Sequence, residues 1–147
     1  MPSRIRFHSA APPLGCRFVL PFLLLIAADA QAAPPSDAAI RGVWWNSDAS
    51  VAVDVQPCGS LLCGTVIHAE KRAEDDARKG GYPHMVGLRV MYGFRPTASG
   101  RWKGTVLVPE RKMIVRSTIS RLDAGRMRVE GCILGLLCSH ETWRRDR

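Results

Sequence analysis

The side chains able to do chemistry in this chain are few, and the cysteines come first. The 147 residues hold five cysteines. Cys58 and Cys63 bracket the turn CGSLLC, and Cys132 and Cys138 bracket a second turn, CILGLLC. Thiols at the two shoulders of one turn meet without long-range help. The expected disulfides are therefore Cys58–Cys63 and Cys132–Cys138. Each closes a short loop, which contributes roughly 2 kcal/mol on the loop-entropy account. Cross-pairing stays open if the two turns meet at one end of the fold. Zinc and thioredoxin-like redox chemistry fit less well, because neither spacing is C-x2-C and no C-x-x-C precedes a helix.

The histidines offer one acid–base or metal pair, His68 with Glu70 two positions along. His84 lies beside Pro83 and His140 lies near the C-terminus, with no H-x-x-x-H spacing among them. No serine sits in a G-x-S-x-G turn, and no glycine-rich phosphate loop occurs. The histidines read as surface or core-edge residues, and the chain reads as a non-enzyme with no metal and no cofactor. Few aromatics interleave the basic residues and an exported protein has the wrong address, so nucleic acid is not an expected partner. The tryptophans say more. Trp44 stands near the start of the strand-forming region, and Trp143-Arg144-Arg145 stands near its end. A guanidinium on an indole face is a cation–π contact of roughly 0.5–2 kcal/mol. Trp44 with Arg145 is the expected pair, closing one end of a barrel, and Arg144 is the alternative. The competing reading has Trp44 and Trp143 as plain core residues.

These groups must be positioned by strands. Val51, Val53 and Val55 alternate with Ala52, Asp54 and Gln56, the period of a half-buried strand. A first strand is expected over residues 40–46 and a return strand from Gly64 to about Ala69. Residues 87–94 alternate Leu88, Val90, Tyr92 and Phe94 on one face. Further strands follow at 102–108, 113–122, 126–131 and 139–145, with Asp123-Ala124-Gly125 as a hairpin turn. Residues 70–84, EKRAEDDARKGGYPH, break the pattern. They read as a solvated loop with one or two helical turns stopped by Gly80 and Gly81, or as a lid. Regular strand spacing fits an all-β barrel or sandwich, and the short connections favour up-and-down order. The expected fold is an antiparallel up-and-down barrel of about eight strands with one charged loop or short helix. Eight strands suffice to close a sheet and hold side chains or one small ligand.

Residues 1–32 read as a cleaved signal peptide, leaving one domain over residues 33–147. Arg4, Arg6 and Arg17 precede or open the apolar run FVLPFLLLIAA, and small-x-small sites follow at 28–30 and 30–32. The run is short for a membrane span and Pro21 interrupts it. Cys16 precedes the run and belongs to the discarded leader. The expected location is periplasmic or secreted, where thiols oxidise. The whole chain carries a net charge of +8, and loss of Arg4, Arg6, Arg17 and Asp29 leaves a basic remainder.

Several short motifs recur in an order that resembles a known family. They are Gly42-x-Trp44, Cys58-Gly59, Leu62-Cys63-Gly64, Gly87-Leu88, Trp102-x-Gly104, Pro109, Gly131 and Thr142-Trp143-x-Arg145. Together they resemble domain-of-unknown-function family 2147, small exported bacterial proteins. The resemblance implies a lipocalin-like, calycin-type barrel, and the Gly-x-Trp start with a late Arg is similar to the lipocalin signature. It implies no established activity. Members commonly carry a Trp just after the second strand and an Asn-Pro loop. Here His68-Ala69 and the charged EKRAEDDARKGG stand instead, so a ligand shared with other members does not follow.

Two functions are expected in order of preference, ahead of an enzyme built on His68 and Glu70. The first is a binding module for a small apolar or amphipathic molecule. Its candidate pocket residues are Val53, Val55, Leu88, Val90, Tyr92, Val106, Val115, Ile119, Met127 and Val129. The second is an envelope interaction protein. Its basic outer face would comprise Arg111, Lys112, Arg116, Arg121, Arg126 and Arg128 and would meet an anionic surface. Oligomeric state has no sequence signal here.

Overall fold

The computed structural model describes residues 36–97 and 100–146. The expected leader lies outside the described residues. Eight strands follow one another: β1 (Gly42–Trp45), β2 (Val51–Cys58), β3 (Leu61–Ala69), β4 (Arg89–Thr97), β5 (Arg101–Val108), β6 (Met113–Arg121), β7 (Arg126–Ile133) and β8 (Leu137–Arg145). Each pairs antiparallel with the next, and β8 pairs with β1 through Trp44–Arg145 and Trp45–Arg144. The sheet is thus a closed up-and-down barrel. Closure removes every strand edge.

Connections alternate between the two ends. Hairpins β2–β3, β4–β5 and β6–β7 mark one end, where a 3-10 turn (Asp37–Ala39) also enters. The β1–β2 loop, the β3–β4 segment, a second 3-10 turn (Pro109–Arg111) and the β7–β8 hairpin mark the other. The first end is packed solid. Ile40, Trp44, Leu62, Phe94, Trp102, Ile119 and Met127 are almost wholly removed from solvent. Gly104 makes room for this packing, since a Cβ there would lie 2.7 Å from the Phe94 ring.

Period-2 patterning places most strands correctly but slips on β4. The β4–β5 register shifts between Tyr92 and Arg95. Gly93 takes a φ of +61° there, a conformation only glycine adopts at no steric cost. The bulge turns Met91 and Phe94 inward. Met91 stands opposite Val106, while Tyr92 stands opposite Thr105 on the other face. The return strand also begins earlier than expected, at Leu61.

The charged segment is a true helix, α1 (Lys71–Lys79), ended by Gly80. Its polar faces carry i,i+3 and i,i+4 pairs, Lys71–Asp75, Arg78–Asp75 and Lys79–Asp76. Such exposed pairs are screened by solvent and add little to stability. What holds α1 is its other side. Ala77 is buried and Ala73 packs against the core. Small side chains let the helix lie close to the barrel.

Candidate functional site

The solid end explains the Trp and Arg motifs. The Arg145 guanidinium carbon lies 4.4 Å from the centre of a Trp44 ring. Arg145 also donates to the carbonyls of Ala39, Arg41 and Ala124. Trp44 donates its indole N–H to the Ile40 carbonyl at 2.8 Å. One guanidinium therefore ties the entering chain to the β6–β7 turn and covers the tryptophan. Gly42 sits beneath it: its φ is +110°, and a Cβ would approach Arg145 Nη1 to 3.0 Å. Arg144 is exposed and makes no such contact. This end is a plug of buried side chains.

The other end is hollow, and the reason lies in one row of inward positions. Ser117 stands opposite Gly131, and Gly131 opposite Ser139. Three small residues across β6, β7 and β8 leave the lumen unfilled. A cavity of about 350 Å³ results, lined by Val106, Val108, Met113, Val115, Val129, Ile133 and Trp143 with Ser117, Gly131 and Ser139. Glu110, Arg111, His140 and Glu141 also border it. An adjoining lobe of about 200 Å³ reaches Val53, Val66, Met85, Val90 and Met91. Pockets for small ligands run from about 300 to 1,000 Å³ and are mainly apolar with a few polar groups.

The mouth is built from four connections. Glu141 points inward on β8 and binds the β1–β2 loop. Its carboxylate accepts from the Ser47 N–H at 2.9 Å, from the Ser47 hydroxyl, and from the Trp143 indole at 3.0 Å. Glu74 on α1 accepts from the Met85 N–H at 3.0 Å, which holds Met85 against the lumen. Gly80 meets the β5–β6 turn so closely that a Cβ would lie 1.8 Å from the Pro109 carbonyl oxygen. A polar cleft of about 230 Å³ runs between the β1–β2 loop and α1, past Asp48, Arg72, Asp76 and Glu110. The Ser50 hydroxyl and N–H hold the Asp48 carboxyl below its ordinary value.

The ten expected pocket residues divide. Val106, Val115 and Val129 line the larger cavity, and Val53 and Val90 line the smaller lobe. Val55, Ile119 and Met127 are buried in the solid core and border neither cavity. Leu88 precedes β4 and packs against the core from the edge. Tyr92 is turned off the inner wall by the Gly93 bulge. Sequence reasoning missed Glu141, although β8 alternation with Trp143 and Arg145 signals it. It also missed Met85 and Gly80, whose roles depend on how α1 docks.

Both disulfides form as the turn spacing implied, with Cα atoms 5.7 Å apart for Cys58–Cys63 and 4.0 Å for Cys132–Cys138. They lie at opposite ends, so cross-pairing is out of reach. Disulfides of this kind point to an oxidising, non-cytoplasmic compartment. His68 is exposed on the outer wall, with its ring centre 5.1 Å from that of Trp45. Among the described residues no hydrogen bond joins it to Glu70, and no three His, Cys, Asp or Glu residues form a metal-holding group.

This architecture is that of the lipocalin-like barrels. Protein HP1028 from Helicobacter pylori, described as belonging to the lipocalin family, superposes with a TM-score of 0.56 at 10% identity. The match covers 73% of this chain and 82% of that one. The chain belongs to family DUF2147, described as an uncharacterized protein conserved in bacteria, whose pattern matches residues 42–145. No curated protein matches it.

Proposed function

We propose that this protein is an exported carrier whose open end holds one small apolar or amphipathic molecule. The observation that supports it is the row Ser117–Gly131–Ser139, which leaves a cavity of about 350 Å³ above a solid floor. The apolar part of the ligand would lie against Val106, Val115 and Val129. Its polar part would face Arg111 and Ser139 at the rim. Removal of residues 1–32 during export is part of this reading, and the two disulfides support it. Ser117→Leu tests the site, because it puts bulk at the small row that leaves the lumen open, and an unchanged melting curve checks that the fold is kept. A fluorescent fatty acid should bind the parent and bind the variant at least tenfold more weakly. Equal binding by the two proteins would overturn the reading. Native mass spectrometry of protein taken from its own periplasm then reports the ligand's mass.

A second reading has its own observation. Of the expected basic face, Arg116 and Arg128 lie outward on β6 and β7, joined by Lys103 on β5 and Arg144 on β8 with Glu130 among them, while Arg121 shares the register of inward Met127 and Arg126 pairs with Asp123. This charge suits an anionic envelope surface. Binding to such a surface should fall steeply with salt, because exposed charges are screened over about 10 Å at 0.1 M. Salt-insensitive binding would remove it.

A further inference from the structure

The tip of the β7–β8 hairpin has the wrong composition for a turn. Turns favour Gly, Asn, Asp, Ser and Pro, yet the residues between Cys132 and Cys138 are ILGLL. Leu134, Leu136 and Leu137 are 91%, 85% and 72% exposed, and Ile114 on the neighbouring strand is 64% exposed. Isolated exposed leucines are ordinary, but a cluster rimmed by polar groups marks a contact surface. The Cys132–Cys138 bridge staples the hairpin at its neck, so the tip is held out.

Three exposed basic residues stand beside the tip. Arg111 and Lys112 occupy the adjacent β5–β6 turn, and Arg116 stands opposite Cys132 on β6. All three are exposed, and among the described residues none is in an ion pair. Glu130 and Glu141 are the acids nearest the hairpin along the chain, and Glu110 adjoins Arg111. Glu141 is turned inward and engaged with Ser47 and Trp143.

We infer that this stapled hairpin is a membrane tip: its leucines enter an anionic phospholipid surface while Arg111, Lys112 and Arg116 engage the headgroups. The pairing of an apolar insertion with basic residues is the two-signal logic of peripheral membrane binding. A stable protein interface needs about 800 Å² from each partner, more than one projecting turn supplies, whereas a bilayer accepts a narrow wedge. Ile133 and Leu137 line both the root of the tip and the larger cavity. Docking therefore sets the cavity mouth at the lipid surface. The inference rests on the second reading above, supplies its insertion element, and stands apart from whether the cavity holds a ligand.

The test is co-sedimentation of the disulfide-bonded protein with vesicles of phosphatidylglycerol and phosphatidylcholine, and of phosphatidylcholine alone. The parent should bind the anionic vesicles in preference. Leu134→Asp with Leu136→Asp should weaken that binding about tenfold or more. Leu134 has a φ of 53°, a conformation Asp tolerates, so the fold should be kept and an unchanged melting curve checks this. Leu136→Trp should bind and shift its fluorescence to the blue on anionic vesicles. Wild-type binding by the double Asp variant overturns the tip while leaving the basic outer face standing. An unshifted Trp on bound protein does the same. Failure of the parent to bind anionic vesicles overturns both.

Discussion

Arg145 makes four contacts from one guanidinium, and their loss should be felt as a unit. The side chain covers Trp44 and donates to Ala39, Arg41 and Ala124. Hydrogen bonds to charged groups are worth more than neutral ones, and truncation leaves acceptors unpaired. Arg145→Ala should therefore cost about 3 kcal/mol in urea unfolding followed by tryptophan fluorescence. Arg145→Lys should recover less than half, because an ammonium lacks the planar fork that reaches several carbonyls. A loss under about 1 kcal/mol would mean that the plug is held by packing alone. The pairing of Trp44 with Arg145 was legible in sequence, since closure makes the first and last strands neighbours. The need for glycine at position 42 was not, because it depends on where the guanidinium passes.

Among the elements, α1 shows how far a charge pattern carries. EKRAEDDARK reads as solvated, and most of its side chains are. Its place over the mouth depends on Ala73 and Ala77 and on Gly80 meeting the Pro109 carbonyl, contacts distant in sequence. Gly80→Ala must push the helix end off the β5–β6 turn. The expected cost is about 1–3 kcal/mol, with faster hydrogen exchange in α1 and Met85 and little change in the β6–β7 hairpin. Uniform acceleration across the barrel would instead place α1 within the cooperative core. Strand β4 teaches the opposite lesson. Its apolar alternation was clear, yet Gly93 inserts a bulge and moves Tyr92 off the inner wall while Met91 enters it.

At the scale of the molecule, the barrel is stapled once at each end. Each bridge closes a loop of a few residues, which should contribute about 2 kcal/mol. Distant sites add, so replacing both pairs by serine should cost about 4 kcal/mol, close to the sum of the separate losses. A clear departure from additivity, measured by urea unfolding of the three variants, would show that the ends communicate. The chain alone pointed to the antiparallel barrel, favoured the two turn-spanning disulfides over cross-pairing, and favoured Arg145 over Arg144 as the partner of Trp44. All of these follow from local period, turn spacing and the adjacency that closure forces. Only the tertiary structure decided which half of the lumen is solid. That depends on which inward residues share a level across neighbouring strands: Trp44, Phe94 and Trp102 fill one end, while Ser117, Gly131 and Ser139 meet at the other. Register sets those levels, and register is a property of paired strands.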